Sequence, residues 1–294
     1  TRCSRDWSSD VCSSDLLEQS HTRRVFEVEK RKFLVVVDPS HERHLALERM
    51  LDIVRQRGEW ISEVHLLVGH EGADKADPEA VTEVIRGKDW FDELLAPVDE
   101  TGVNYTVEFF WTADWRKSIT DAADQYDCDT IMLCESSAEH KRGITDSKWD
   151  LVRQARSDVV IVDEGTEAPI KCILAAVNTQ AKDEAHLALN EKILERGKFL
   201  AEYFDADYHV VNAYTDSENF PDRQVIARMS GLPRENIHRD MGKPEDVIAA
   251  TAEKYGADMV ILGISPRTGL SAKFASHTTE KVMEKITVDV VALN

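Results

Sequence analysis

The histidines are the first residues in this 294-residue sequence whose type could support chemistry. His41 and His44 are three residues apart, and His65 and His70 flank an apolar stretch. A metal site needs three or four converging ligands, and no cysteine or carboxylate accompanies either pair at a known spacing. We therefore expect solvated surface histidines and no metal ligands. We predict no catalytic residues either, because the sequence contains no P-loop, no GxSxG elbow and no HExxH helix.

A second segment contains residue types that could bind a ligand. It follows the apolar run Met259–Leu262 and reads GISPRTGLSAKFASHT from Gly263 to Thr278. Glycines let backbone N–H groups approach phosphate oxygens, and Arg267 could add a charge-assisted pair. The alternative is structural: a turn that leaves a sheet, with Thr278 as a helix cap. The spacing is degenerate, so this alternative is the one we favour.

The elements that would position such residues occur twice. Ser118–Leu133 and Val247–Leu262 align so that Ile119 meets Ile248 and Tyr126 meets Tyr255. Each copy has one apolar helical face followed by a short strand that is apolar throughout. Such a strand belongs inside a parallel sheet that helices cover on both faces.

Further strands and helices alternate around this repeat. They predict an α/β fold of two tandem doubly wound parallel-sheet domains. The predicted domains are residues 31–163 and 170–294, with the polar segment 164–169 as a linker. We expect them to pack as an intramolecular pseudo-dimer through their last strands. Phe220–Gly231 leaves room for only a short second helix in the second domain. The predicted strands are Phe33–Asp38, Val64–Gly69, Tyr105–Trp111, Thr130–Leu133, Asp158–Val162, Cys172–Asn178, Tyr208–Tyr214, Met259–Leu262 and Asp289–Leu293.

The net charge of −19 argues against nucleic acid or an anionic membrane as a partner, because their phosphates would be repelled. No apolar run approaches the roughly 20 residues that cross a bilayer, and no secretion signal is evident. We expect a cytoplasmic protein. Cys128, Cys134 and Cys172 then read as buried structural thiols.

Residues 1–16 need separate treatment, because Asp6–Leu16 (DWSSDVCSSDL) reads like a translated sequencing adapter. We interpret this leader as a disordered assembly artefact and leave it, with Cys3 and Cys12, out of the fold. The alternative is a natural serine-rich leader.

The chain from about Arg31 onward resembles the universal stress protein (UspA-like) family in its tandem two-domain type. The segments that carry the resemblance are VVVDPS, TDSKWDLVR at Thr145–Arg153, ALNEKILE at Ala188–Glu195 and the whole of Gly263–Leu293. The resemblance implies an adenine nucleotide alpha hydrolase-like fold. It also implies a non-enzymatic protein that supports survival under stress such as DNA damage. Some relatives bind ATP and others do not.

The resemblance also places a degenerate nucleotide loop in the second domain. Gly263 occupies the first glycine position, Pro266 the second, and Ser276 and His277 the closing pair. Pro266 has no N–H to donate, and Ser276 adds a side chain where close approach is needed. Asn178, after the first strand of this domain, stands where binding relatives contact the base. The residues left to hold a nucleotide are Gly263, Arg267, Thr268, Gly269, Ser271, Ser276, Thr278 and Asn178.

The first domain is poorer still in these features. Cys134 stands where Gly263 stands, and Asp38 where Asn178 stands. We expect this half to be structural and no cofactor to be required.

Three functions stay open. The first is a stress protein that binds a small molecule or partner, alone or as a homodimer. The second is an ATP binder with weak hydrolysis in the second domain. The third is a carrier of a larger, lipid-like ligand beside the short helix.

Overall fold

The computed structural model describes residues 30–69, 85–110, 114–135, 146–264 and 278–294. The leader at 1–16, and Pro266, Arg267, Thr268, Gly269, Ser271, Ser276 and His277, lie outside these ranges. So do His70 and Trp111.

Strands and helices alternate along both halves of the described chain. The first half contains β1 (Arg31–Val37), α1 (Leu45–Arg57), β2 (Ile61–Val68), α2 (Lys88–Asp99), β3 (Tyr105–Phe109), α3 (Trp115–Gln125), β4 (Thr130–Glu135), α4 (Asp146–Gln154) and β5 (Asp158–Asp163). The second half contains β6 (Cys172–Ala176), α5 (Glu184–Phe204), β7 (Asp207–Tyr214), α6 (Arg223–Ser230), β8 (Ile237–Met241), α7 (Pro244–Tyr255), β9 (Met259–Gly263), α8 (Thr278–Met283) and β10 (Asp289–Leu293).

The described strands form one continuous sheet in the order β3-β2-β1-β4-β5-β10-β9-β6-β7-β8. Pairing is parallel within each half, as expected for apolar strands joined by helical crossovers. The halves join where β5 runs antiparallel to β10, with Val290 opposite Ile161 and Ala292 opposite Val159. The predicted fold class is confirmed, including the pairing of the two last strands.

The first long helix of each half covers this joint, so α1 and α5 bring side chains across it. Trp60, after α1, lies 4.9 Å between ring centroids from both Phe199 and Tyr203 of α5. The Tyr203 hydroxyl, which is buried, donates a 2.8 Å hydrogen bond to the Ile53 carbonyl of α1. The contact of Trp60 with α5 is therefore aromatic, and the Tyr203 hydrogen bond adds a polar contact between the two helices.

Two expectations about the outer strands were wrong. β3 was predicted to span Tyr105–Trp111, but it ends at Phe109, which is 60 % exposed, and the buried Phe110 follows it. β3 is the last strand at its edge of the sheet, so one side of it lacks a neighbouring strand. The strand β8 was not predicted, because its sequence IHRDM lacks the apolar run that marked the other strands. The short second helix of the second half is present as the eight-residue α6.

The expectation of solvated histidines was also wrong for His65. This residue is buried, stacks on Tyr126 at 4.1 Å, and its Nδ1 lies 2.6 Å from the Thr106 hydroxyl. The second half repeats the stack, with Tyr255 against His209 and His238. Tyr126 and Tyr255 are equivalent positions of the internal repeat, and both stack on histidine rings.

Two of the three expected buried thiols, Cys128 and Cys172, are buried, and burial raises their pKa values, to about 12 and about 11. Cys134 is half-buried. Within the described residues, no helix has the length and apolar character needed to traverse a bilayer.

Candidate functional site

The candidate site is a cleft of about 560 Å³ at the carboxyl ends of β6, β7 and β9. β6 lies between β7 and β9, so the crossovers to its two neighbours leave on opposite sides. This is the switch point at which open α/β sheets bind ligands. The described lining residues are Ala176, Val177, Asn178, Gln180, Ala181, His186, Leu189, Asn190, Ile193, Ala213, Tyr214, Thr215, Asn219, Pro244, Ile248, Leu262, Gly263, Thr278, Thr279 and Val282.

Two buried asparagines hold the loop that follows β6. The Asn190 amide accepts a 2.9 Å hydrogen bond from the Asn178 backbone N–H and donates a 2.8 Å bond to the Asn178 carbonyl. Asn212, which is fully buried, accepts from both the backbone N–H and the hydroxyl of Thr179. These bonds fix the backbone of the loop, while the Asn178 residue itself is exposed at the mouth of the cleft.

Gly263 is the last residue of β9 and lines the cleft. The packing of neighbouring side chains explains why a glycine is found at this position. A Cβ atom at this position would lie 2.6 Å from Cδ2 of Leu189 and 2.9 Å from Cδ1 of Ile193. Its carbonyl accepts a 2.9 Å hydrogen bond from the Thr279 hydroxyl. The close approach of α5 therefore favours glycine here, whether or not a phosphate is ever bound.

Three of the residues that the sequence singled out surround this one cleft: Asn178, Gly263 and Thr278. Thr278 is exposed at the first position of α8. The remaining five, Arg267, Thr268, Gly269, Ser271 and Ser276, belong to the loop outside the described residues.

The described lining of the cleft is electrically neutral, with neither Lys, Arg, Asp nor Glu among its residues. His186 lies at its edge, and the Nδ1 atom of this residue lies 2.7 Å from the Asp183 carboxylate just before α5. That hydrogen bond lowers the pKa of Asp183. A neutral lining of amides, hydroxyls and aliphatic carbons suits an uncharged polar heterocycle better than a free phosphate.

The corresponding cleft of the first domain is smaller, at about 230 Å³, and Lys148 and Phe110 are among its lining residues. The Lys148 ammonium donates a 3.3 Å hydrogen bond to the carbonyl of Cys134, the residue that matches Gly263. The buried Phe110 ring leaves no space for a side chain at Gly69. Asp38 accepts from the backbone N–H and the hydroxyl of Ser40, so it caps a turn.

Asn190 and Asn212, which hydrogen-bond the backbone of the loop, were not predicted from the sequence. A signal for Asn212 was available: an amide in the middle of the apolar strand DYHVVNAY must find partners when it is buried. Asn190 stands on the inner side of α5 among apolar residues and offers the same signal.

Comparisons with known proteins agree with this architecture. Residues 177–294 match the model of the Universal stress protein family. The chain is 21 % identical to Universal stress protein E homolog of Haemophilus influenzae, across 90 % of this chain and 97 % of that protein. It is 24 % identical to Universal stress protein E of Escherichia coli, across 90 % and 93 %. A crystal structure of a universal stress protein from Pseudomonas aeruginosa superposes with a TM-score of 0.71 at 25 % identity, covering 90 % of this chain and 93 % of that one.

The fold and the cleft define a class: a tandem doubly wound α/β protein with a ligand-sized cleft at the switch point of its second domain. The resemblance to the universal stress protein family is confirmed, and the tandem type represented by universal stress protein E is the one that this chain resembles. This relationship supports a stress-related role.

Proposed function

We propose that the chain is a cytoplasmic, non-enzymatic stress protein that acts by binding a small molecule in the cleft of its second domain. The observation that carries this proposal is the open cleft at the switch point, about 560 Å³ in volume. Clefts of roughly 300–1,000 Å³ with a mixed lining are typical of small-molecule sites. The fixed loop at Asn178 offers a preorganised edge, which lowers the cost of ordering a ligand.

Adenosine nucleotides are the second candidate, because Asn178, Gly263 and Thr278 lie on the same cleft. If the ligand is an adenosine nucleotide, its base and ribose occupy the part of the cleft that the structure describes, which has no charged lining residue. The triphosphate then depends on Arg267 and its neighbours, and any hydrolysis is slow. The third function, a carrier of a larger lipid-like ligand, stays a prediction. No contact among the described residues favours it.

Native mass spectrometry of the purified chain, followed by calorimetric titration with Mg²⁺ and ATP, tests these functions. Ala181→Leu places a larger side chain in the cleft and should weaken binding of whatever ligand is found there. Ala185→Leu, on the exposed first turn of α5, is the matched control and should bind normally.

A small molecule retained by the wild type and lost in Ala181→Leu supports the proposal. ATP binding with the same loss selects the nucleotide version. A retained lipid selects the third function. If both variants keep the ligand with unchanged affinity, the cleft is not its site and the proposal fails.

A further inference from the structure

A pair of arginines beside the short helix α6 is not used by the proposed function. We propose that Arg223 and Arg239 form a site for a phosphate group, outside the cleft of the second domain. Arg223 is the first residue of α6, and Arg239 lies in the middle of β8, the last strand at its edge of the sheet. Both residues are half-buried.

The two guanidinium groups carry N–H donors that the described part of the protein does not use. Arg239 donates a 2.8 Å hydrogen bond from Nη1 to the Pro221 carbonyl. Arg223 makes neither a hydrogen bond nor an ion pair with any residue that the structure describes. The Nε atoms of both arginines are shielded from solvent and have no acceptor within the same ranges. Shielded N–H groups normally find a partner, because leaving one unpaired costs free energy.

The acidic residues nearest in sequence are engaged elsewhere. Asp222 precedes Arg223, and its carboxylate caps α6 by accepting a hydrogen bond from the helix backbone. Asp240 follows Arg239 in β8, and successive side chains of a strand point to opposite faces of the sheet. The charge of Asp240 acts on His238, which shares its face. Neither arginine forms an ion pair with a carboxylate of the described residues.

The two positive charges also repel each other. Burial lowers the pKa of Arg239, and the charge of Arg223 lowers it further, while Tyr214 and Asp222 act in the opposite direction. Arginine stays charged at neutral pH, so this repulsion is a cost to the folded protein. The chain has a net charge of −19, and it nevertheless places two cations together without an ion pair. A bound anion would remove that cost.

The position of the Arg239 guanidinium is fixed before any ligand binds. Its central carbon lies 4.4 Å from the centroid of the Phe220 ring, which is a cation–π contact. Phe220 packs edge-on against Tyr214 at 5.0 Å between ring centroids, and Tyr214 lines the cleft of the second domain. The site is therefore connected to the cleft through two aromatic rings. Its preorganised donor lowers the cost of binding.

Two guanidinium groups match a phosphate group in charge and in geometry. A phosphate carries about two negative charges at neutral pH, and a guanidinium can donate parallel N–H groups to two of its oxygens. A carboxylate has a single charge and therefore balances only one of the arginines. Phosphate is thus the anion that this pair favours.

Calorimetric titration of the full chain with inorganic phosphate and with glycerol phosphate, at constant ionic strength, tests the site. The wild type should bind, and Arg223→Gln should weaken binding roughly tenfold, the loss expected for one charge-assisted contact. Arg228→Gln is the matched control, because it removes an equal charge from an exposed position in the last turn of the same helix. This control should bind as the wild type does. Tighter binding of glycerol phosphate would identify a phosphate ester as the ligand, and the reverse order would identify free phosphate.

Urea unfolding without phosphate separates a binding role of Arg223 from a structural one. Arg223→Gln removes repulsion and no hydrogen bond, so the variant should be at least as stable as the wild type. The proposal is overturned if neither probe binds at millimolar concentration, if Arg228→Gln loses as much affinity as Arg223→Gln, or if Arg223→Gln destabilises the phosphate-free chain. Ala181→Leu should leave phosphate binding intact. A loss in that variant would place the phosphate in the cleft and would also overturn the proposal.

Discussion

Replacing Gly263 by alanine should destabilise the second domain through a clash with α5. The added Cβ would lie 2.6 Å and 2.7 Å from Cδ2 and Cγ of Leu189, and 2.9 Å from Cδ1 of Ile193. Contacts under 3.0 Å force side chains or backbone to move, and overpacking of this kind costs about 1–3 kcal/mol. At about 2–4 °C per kcal/mol, the melting temperature should fall by several degrees.

Urea unfolding of a double-mutant cycle with Leu189→Ala isolates the cause. Truncating Leu189 removes two of the three short contacts, so Gly263→Ala should cost much less in that background, with a coupling energy of about 1–2 kcal/mol. Gly58→Ala is the control, because a Cβ there meets Val54 at an ordinary 3.6 Å and φ is −55°. It should be neutral or stabilising by up to about 1 kcal/mol.

An equal cost of Gly263→Ala in both backgrounds would refute the packing argument. The glycine would then be required for another reason, such as close approach of a ligand.

Two further predictions concern the aromatic contacts. Tyr203→Phe removes the hydrogen bond to the Ile53 carbonyl across the joint and should lower the free energy of unfolding by about 0.5–1.5 kcal/mol in urea; an unchanged midpoint would show that this bond contributes nothing. The second uses His238, whose pKa is lowered to about 4, mainly by burial and then by His209, whose Nδ1 lies 3.0 Å from its Nε2. The unfolded chain binds that proton near pH 6.5 and the folded chain only near pH 4, so stability falls as the pH drops through this interval. His238→Gln should flatten the loss between pH 6.5 and 4, and an identical acid profile in both proteins would contradict the assignment.

The central strands could be predicted from the sequence because their residues are apolar on both faces. β4 and β9 share this pattern, and the internal repeat alone is enough to mark them as equivalent strands of the two halves. The outer strands could not be predicted in the same way. β8 is a polar edge strand, and β3 ends at the exposed Phe109, one residue before the buried Phe110.

The site was predictable only as a location. Asn178 and Gly263 follow strands whose carboxyl ends meet at one edge of the sheet, so sequence order was enough to bring them together. The reason that Gly263 must be glycine depends on how closely α5 crosses it, which follows from the packing of Leu189 and Ile193. The ion pairs of Lys192 and Arg196 with Asp158 were also beyond sequence reasoning, because these residues come from different halves of the chain.

The two clefts differ at one pair of equivalent positions, Gly263 in the second domain and Cys134 in the first. At Gly263 the chain has no side chain, α5 packs closely, and the space beyond the strand ends stays open. At Cys134 a side chain is present, and the carbonyl of this residue accepts a hydrogen bond from Lys148 of the domain's own helix α4. The equivalent carbonyl of Gly263 accepts from the Thr279 hydroxyl, so the donor beside the strand end is a cation in the first domain and a neutral hydroxyl in the second. The second domain therefore carries the larger cleft, of about 560 Å³, while the first carries a cleft of about 230 Å³ and the strand β5 that pairs with β10.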